Sequence, residues 1–236
     1  MDLQGSVAIR RTAHEFSSIF KRCYKTPLRY ASQVPRPKLH DDALRIRLLD
    51  TAGALLTSEG PDALSLRRLA AAAGTSTSAV YALFGGKAGI LRGLFIEAFT
   101  RFASHLDTVT PSDDPLADLL ALGHAYRTSA LADPHLYAVM FGSPVPGFEP
   151  ASEDYAHAEA TFIPLLDTVR RAVAAGLLRD ADPHLIATAL WANVHGLVSL
   201  ELGCAMPRQA GAPAAVFEAA IRANLNGWRA EGTAHS

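Results

Sequence analysis

The chain has 236 residues, of which 49% are hydrophobic but only 8% aromatic, and its formal net charge at pH 7 is −1. Alternating runs of β-branched and aromatic residues are scarce, so the composition favours an all-α protein, and the length allows a small domain beside a larger one. The two cysteines, Cys23 and Cys204, stand in very different contexts, which excludes a metal cage or a disulfide framework built on cysteine.

We find no apolar run as long as a membrane span, and no signal peptide at the N-terminus. The low cysteine content agrees with a reducing compartment. The sequence therefore predicts a cytoplasmic protein with no membrane partner.

The positive charge is concentrated in the first 40 residues. This segment holds eight Lys and Arg against two acids, a net charge of +6, whereas residues 91–236 carry a net charge of −7. Pro27, Pro35 and Pro37 prevent a continuous helix. We assign residues 1–38 to a basic, flexible N-terminal arm, which is placed to follow DNA phosphates or to enter a minor groove. The alternative is a disordered tail, or an upstream start codon read into the protein.

The first predicted helix begins after His40, where two aspartates favour a helix N-terminus, and ends at Gly60–Pro61. Its apolar residues recur at helical spacing, whereas Arg45 and Arg47 lie outside that stripe. The stripe consists of Leu44, Leu48, Ala52, Leu55 and Leu56.

Residues 65–87 are predicted to form two short helices joined by a tight turn. Ser65 is placed to cap the first helix, and Gly74 suits the left-handed residue that ends it. Thr75 and Ser76 then begin the second helix. The inward residues of the pair are Leu66, Leu69, Ala70, Ala73, Ala79, Val80, Leu83 and Phe84.

The outward face of the second helix is short and rich in hydroxyl groups. It carries Thr77, Ser78, Tyr81 and Ala82, a face of the size that a DNA major groove admits. The pattern indicates a helix-turn-helix. The alternative is an alanine-rich helical hairpin that serves only core packing.

The end of this segment resembles the recognition helix of TetR-family transcriptional repressors. That helix typically carries an apolar–Tyr–x–x–Phe–x–x–Lys run, which here extends from Val80 to Lys87. The chain departs from the family at Leu83, where a polar ring such as His is common. The resemblance implies a homodimer that binds a double-stranded DNA operator. The candidate DNA-binding residues are Ser65, Arg67, Arg68, Ser76, Thr77, Ser78, Tyr81 and Lys87.

Roles within this set follow from position. Thr77 and Ser78, at the start of the second helix, are candidates for base contact, and Tyr81 and Lys87 for phosphate contact. Either Arg67 or Arg68 is a candidate for a phosphate contact. The alternative is that these arginines are only solvated. Residues 39–87 form the predicted DNA-binding domain.

A long apolar helix is predicted from Ala88 to about Val109, and in the resembled family this helix joins the DNA-binding head to the regulatory body. Five further helices follow, and residues 88–230 form the predicted effector-binding and dimerisation domain, with residues 231–236 as a tail. The five helices span residues 116–132, 135–141, 152–175 with a kink at Pro164, 183–202 and 213–230.

The fourth helix of the body contains Trp191, His195 and Gly196, and this element resembles the WHG-type effector domain found behind many TetR-like heads. The last two helices are the family's usual dimer surface. Their apolar residues are predicted to form the dimer seam, and the alternative is that they belong to the intramolecular core. These residues are Leu197, Leu200, Val216, Ala220, Ile221 and Leu225.

Bulky residues on facing helices of the body indicate a small-molecule pocket, with a closed core as the alternative. The candidate ligand-binding residues are Tyr126, Tyr137, Met140, Phe141, Phe162, Leu166, Trp191 and His195. His195 has no metal-ligand spacing around it, and Glu153, Asp154 and His157 are read as a solvated patch. No catalytic residue, metal or cofactor is assigned.

The sequence thus predicts an all-α protein in which a three-helix head with a helix-turn-helix is joined by a long helix to a ligand-binding and dimerisation bundle. Its predicted function is that of a ligand-responsive regulator, a repressor released from a palindromic operator by a small apolar effector. The alternative is an enzyme or a sequestering binder of an apolar metabolite.

Overall fold

The computed structural model describes residues 41–141 and 148–230. The N-terminal arm, residues 142–147 and the tail therefore lie outside the described residues. Within the described ranges the structure is helical, and strand pairing is confined to an isolated bridge between Leu178 and Arg229. The predicted all-α fold is confirmed.

The helices follow the predicted order. They are α1 (Asp41–Glu59), α2 (Leu66–Ala72), α3 (Thr77–Phe84), α4 (Lys87–Leu106), α5 (Pro115–Ala132), α6 (Pro134–Phe141), α7 (Tyr155–Ala174), α8 (Pro183–Leu202) and α9 (Pro213–Gly227), with short 3-10 helices at Pro61–Ala63 and Arg208–Ala210.

The chain divides into two compact units. Of the described residues, the first unit comprises residues 41–100, 135–141 and 148–160, and the second comprises residues 101–134 and 161–230. The helices α4 and α7 each contribute residues to both units. The boundary between residues 87 and 88 stays a prediction.

The core of the first unit is built on the apolar face of α1. This face is broader than predicted, because Leu49 is fully buried beside Leu48 and Gly53 is buried as well. Gly53 is needed there for close packing, since a Cβ at this position would lie 2.5 Å from Cδ2 of His135 on α6. Contact between α1 and α6 thus depends on a glycine that helical periodicity did not identify.

An ion pair joins α4 to the segment before α7 within the first unit. Nε of Arg92 donates to both carboxylate oxygens of Asp154 at 2.9 Å, and its Nη2 donates to Glu153 at 3.0 Å. Asp154 is 1% exposed and also accepts the backbone N–H of Ala151. The expected solvated patch is therefore wrong for Asp154, because the charge of Arg92 compensates its burial.

The second unit packs α5, α8 and α9 with the later part of α7. Asp182 caps α8 by accepting the N–H of His184 at 2.9 Å, and Pro183 takes the first helical position, as predicted. The helix α7 continues through Pro164. The helix α9 ends at Gly227 rather than near Ala230, because Ala230 donates to the carbonyl of Leu177 instead.

Candidate DNA-binding face and effector site

The turn between α2 and α3 is held by its own side chains and one glycine. The N–H of Arg68 donates to Oγ of Ser65, and the N–H of Ala79 donates to Oγ of Ser76 at 3.1 Å. Gly74 has a φ of +66°, a conformation that only glycine adopts at little cost. The caps predicted for the helix-turn-helix are confirmed, and they engage the Ser65 and Ser76 hydroxyls within the protein.

The second helix of the motif, α3, has one buried side and one open side. Val80 is fully buried, and Leu83 and Phe84 are half-buried. On the other side the predicted outward residues are exposed, and the Tyr81 ring is exposed to 62%. They are Thr77, Ser78, Tyr81 and Ala82.

A close backbone approach sets the corner between α3 and α4, whose axes differ in direction by 63°. A Cβ at Gly89 would lie 1.8 Å from the carbonyl oxygen of Phe84, so only glycine fits. The guanidinium of Arg45 lies 5.4 Å from the centre of the Phe84 ring and covers it. Gly89 and Arg45, which sequence reasoning missed as parts of the site, thus support the end of α3.

The predicted cationic residues of the head differ in their surroundings. Arg68 forms an ion pair with Glu59 in which both side chains are roughly half exposed. Arg67 is exposed, and Lys87 is the first residue of α4. The structure places all eight predicted DNA-binding residues in the first unit.

Four of the predicted ligand-binding residues form a continuous cluster in the second unit. The Tyr126 hydroxyl lies 2.9 Å from Nδ1 of His195, and the His195 and Trp191 rings are 5.9 Å apart. The Phe162 ring meets Trp191 edge-on at 6.2 Å. Trp191 and His195 are half-buried, whereas Tyr126 and Phe162 are buried. We call these four residues the aromatic cluster.

Burial lowers the pKa of His195 below its ordinary value of 6.5. The ring is therefore neutral at pH 7, with one nitrogen that donates and one that accepts. Since Nδ1 is engaged with Tyr126, the cluster is an apolar wall that contains one hydrogen-bonded polar pair. Such a surface is suited to a largely apolar molecule with a single polar group.

The other predicted ligand-binding residues are placed separately. Leu166 is buried in the second unit, whereas Tyr137, Met140 and Phe141 belong to the first. There the Tyr137 and Phe141 rings lie 5.0 Å apart. The structure therefore divides the set between the two units, and a pocket that contains all eight residues stays a prediction.

Sequence reasoning missed one ring that contacts the aromatic cluster. Phe102 on α4 meets Tyr126 edge-on at 5.0 Å. Its position seven residues after Phe95 on one helical face was the available signal. Through Phe102, the long helix that follows the DNA-binding head touches the candidate effector site.

Metal binding finds no support in residues 41–141 and 148–230, where the structure shows no group of three His, Cys, Asp or Glu side chains able to hold an ion. Cys204 is a free, exposed thiol.

The helix α8 is long and apolar enough to cross a membrane, and α3 with α4 passes the same test as a bent pair. The helix α8 passes on its mean hydropathy, although Thr188, Asn193 and Ser199 interrupt its apolar residues. Most of the apolar run of α8 is not buried.

Two family models match the chain. Residues 48–94 match the model of bacterial regulatory proteins of the TetR family, and residues 119–224 match the tetracyclin repressor-like C-terminal domain. The first range contains the helix-turn-helix and its corner with α4. The second contains Tyr126, Trp191 and His195.

Individual relatives agree with these models. The chain is 26% identical over 191 residues to the HTH-type transcriptional regulator Mb1846 of Mycobacterium bovis, covering 68% of this chain and 81% of that protein. A solved protein of unknown function from Rhodococcus sp. RHA1 is 29% identical, with a TM-score of 0.68 over 87% of this chain and 100% of the other.

The fold is shared with a third protein, the TetR family transcriptional regulator PfmR from Thermus thermophilus. The two are 22% identical, with a TM-score of 0.64 over 76% of this chain and 97% of that one. With a helix-turn-helix head, a matching C-terminal domain and these relatives, the chain belongs to the TetR family of transcriptional regulators.

Proposed function

We propose that the protein is a homodimeric repressor, which binds a palindromic operator through α2 and α3 and is released when a small, largely apolar effector binds at the aromatic cluster. The observation that carries the proposal is the exposed face of α3. Thr77, Ser78 and Tyr81 project from a helix whose opposite side is anchored by Val80. A helix held in this way can enter a major groove without unfolding the head.

Contacts to DNA are divided by chemistry. The short hydroxyls of Thr77 and Ser78 suit base edges, whereas Tyr81 and Lys87 suit phosphates. Arg67 is an exposed candidate for a further phosphate contact, and Arg68 would have to exchange Glu59 for phosphate. Ser65 and Ser76 contribute by orienting the helices, since their hydroxyls already cap them.

Dimerisation supplies the second head, because one head reads only half of a palindrome and the half-sites lie about 34–36 Å apart. Leu185 and Leu200 at the two ends of α8 are 57% and 45% exposed. Between them Ala192 is exposed, and apart from the adjoining residues and backbone of α8 itself, no described atom lies within 4 Å of the place that a Cβ on Gly196 would take. Small residues of this kind let a second copy pack closely.

The dimer seam offered from the sequence needs revision at two positions. Ile221 and Leu225 are each 5% exposed, so they belong to the core of the second unit. Ile221 packs near Gly123 of α5. We assign dimerisation to the outward residues of α8 and to the exposed alanines of α9 at positions 215, 219 and 223.

Release is proposed to pass through α4. An effector that displaces Tyr126 or His195 also disturbs Phe102, whose ring lies 5.0 Å from that of Tyr126. Phe102 and Lys87 are on one continuous helix, so movement of its later turns is transmitted to the head. The effector must bind the released arrangement more tightly than the DNA-bound one, since only differential affinity shifts the equilibrium.

The α8 surface is assigned to a second copy rather than to a lipid bilayer, and we propose a cytoplasmic protein. Nothing in the described residues favours an enzyme over a regulator.

The proposal is tested by selecting operator sequences in vitro with the full-length protein and measuring affinity by fluorescence anisotropy at several salt concentrations. Lys87→Ala should weaken binding to all sequences alike and reduce the salt slope by about 1. Thr77→Ala should change the sequence preference. Arg170→Ala, an exposed residue on α7, is the control. Equal behaviour of all three variants and the parent protein would contradict the assignment.

A further inference from the structure

A cleft of about 650 Å³ opens in the second unit between α5, α9 and the turn after α7. Its walls include Leu116 and Leu120 of α5, Leu177, and three polar residues from the end of α9. None of the residues of the aromatic cluster lines it. The cleft is therefore a separate feature from the proposed effector site.

The polar wall is formed by three residues near the C-terminal end of α9. Arg222 and Asn226, at i and i+4, lie on one face of the helix, and Arg229, which follows the helix, lines the same cleft. Arg229 itself comes after the helix and is held by backbone pairing, since it bridges to Leu178 and donates its N–H to the carbonyl of Asn226. These contacts hold the backbone of Arg229, whose side chain lines the cleft.

The guanidinium of Arg229 is incompletely satisfied. Its Nε is buried and has no hydrogen-bond partner within the part of the chain that the structure describes. A buried donor of a charged group is costly when it is unpaired, and such a group calls for an acceptor. Arg222, by contrast, pairs with Glu218 on the same helix.

The acidic residues of the cleft do not supply that acceptor. Asp114 lines the cleft, but its Oδ1 accepts the N–H groups of Leu116 and Ala117 at 3.0 and 3.1 Å as the cap of α5. Asp113 also lines the cleft and is exposed. The unsatisfied group is therefore a cationic donor in a cleft that leucines also line.

We propose that this cleft binds a small amphipathic organic anion, whose carboxylate is held by Arg229 and Asn226 and whose hydrocarbon part lies against Leu116, Leu120 and Leu177. Charge-assisted hydrogen bonds from a guanidinium give the site its preference for an anion. The leucines give it a preference for a ligand with an apolar part. A protein regulated in this way has two ligand sites in one unit.

The test is isothermal titration calorimetry of the full-length protein with sodium octanoate, with 1-octanol as the neutral ligand of equal chain length. We expect a saturable octanoate site that octanol does not occupy. Arg229→Gln should lower the affinity of this site for octanoate at least about tenfold, the smallest effect expected from losing a hydrogen bond to a charged group. Arg170→Gln, which removes an exposed guanidinium from α7, should leave the affinity unchanged.

A second variant keeps the test decisive if Arg229→Gln fails to fold. Leu120→Glu leaves Arg229 in place but puts a carboxylate in the cleft, so it should lower the affinity for octanoate by a similar factor. The Trp191→Ala variant, which changes the aromatic cluster, should keep the octanoate site. The proposal is overturned if octanoate does not bind saturably, if octanol binds equally well, or if both cleft variants bind like the parent protein. A chain shortened by residues 231–236 that no longer binds octanoate would assign the site to that tail and also overturn it.

Discussion

The Tyr126 hydroxyl on α5 and Nδ1 of His195 on α8 form a hydrogen bond of 2.9 Å between residues 69 positions apart in the chain. Because the Tyr126 ring is buried, no bulk water replaces His195 as its partner. The bond therefore ties α5 to α8 at the centre of the aromatic cluster.

Tyr126→Phe removes this hydrogen bond with little change in shape. We expect the free energy of unfolding to fall by about 1 kcal/mol, the usual net value of such a bond. Urea denaturation followed by circular dichroism measures it, and Tyr81→Phe is the control because that hydroxyl is on an exposed ring. In a double-mutant cycle, Tyr126→Phe should have a much smaller effect when His195 is already Gln; equal effects in both backgrounds would exclude the pairing.

The lowered pKa of His195 predicts a dependence of stability on pH. The unfolded chain takes up the proton near pH 6.5, whereas the folded ring resists protonation because it is buried. The unfolded state thus binds more protons in this range, and stability falls as the pH drops from about 6.5 towards the folded pKa. Melting temperatures between pH 7.5 and 5.5 should decline more steeply for the parent protein than for His195→Gln. Parallel curves would contradict the prediction.

The ion pair between buried Asp154 and half-exposed Arg92 predicts that substitutions of Asp154 and of its neighbour Glu153 differ in their effect on stability. Asp154→Asn should lower the free energy of unfolding by about 1–3 kcal/mol. The amide has no charge and a single acceptor oxygen, so Arg92 loses its opposite charge and one of its two acceptors. Glu153→Gln should cost less than about 1 kcal/mol, since the Glu153 side chain is 67% exposed. Differential scanning calorimetry of both variants gives the comparison. A larger effect at Glu153 than at Asp154 would show that the pair does not hold α4.

Sequence reasoning succeeded where a feature depends on neighbours in the chain. The caps at Ser65, Ser76 and Asp182 and the turn at Gly74 each involve residues within a few positions of one another. Local hydrogen bonds and φ preferences determine these features. The starts of α8 at Pro183 and of α9 at Pro213 followed for the same reason.

Sequence reasoning failed where a residue contacts another that is distant in the sequence. Asp154 has the sequence context of a surface acid, but its partner Arg92 lies 62 positions earlier in the chain. Gly53 is required by His135, and the end of α9 is set by Leu177. None of these pairings has a periodic signature, since tertiary contacts select them.

The dimer surface is tested by a charge placed on the outward face of α8. Ala192→Glu should give a folded monomer, because Ala192 is exposed within the chain, and it should lose operator affinity. Ala160→Glu puts the same charge on an exposed alanine of α7 and should remain dimeric. Analytical ultracentrifugation reports the mass of each variant. If the Ala192→Glu protein stays dimeric, dimerisation uses another surface.

The choice between an effector pocket and a closed core rests on Trp191. Its ring is half-buried and contacts Phe162 and His195, so part of its surface is exposed. Trp191→Ala should therefore abolish release from the operator by an effector found in a panel of apolar and aromatic compounds, while operator affinity without effector changes little. Anisotropy of the labelled operator measures both quantities in one titration.

The chain offers a matched control in its second tryptophan. Trp228 stacks with Arg179 at the end of α9, where the ring and guanidinium are 5.0 Å apart. Trp228→Ala should keep the response to the same effector. If Trp191 instead belongs to a closed core, Trp191→Ala would lower the free energy of unfolding by about 3–5 kcal/mol and impair operator binding with or without effector. If Trp191→Ala shows that loss, or if it still responds to the effector, the aromatic cluster is packing and the effector site lies elsewhere.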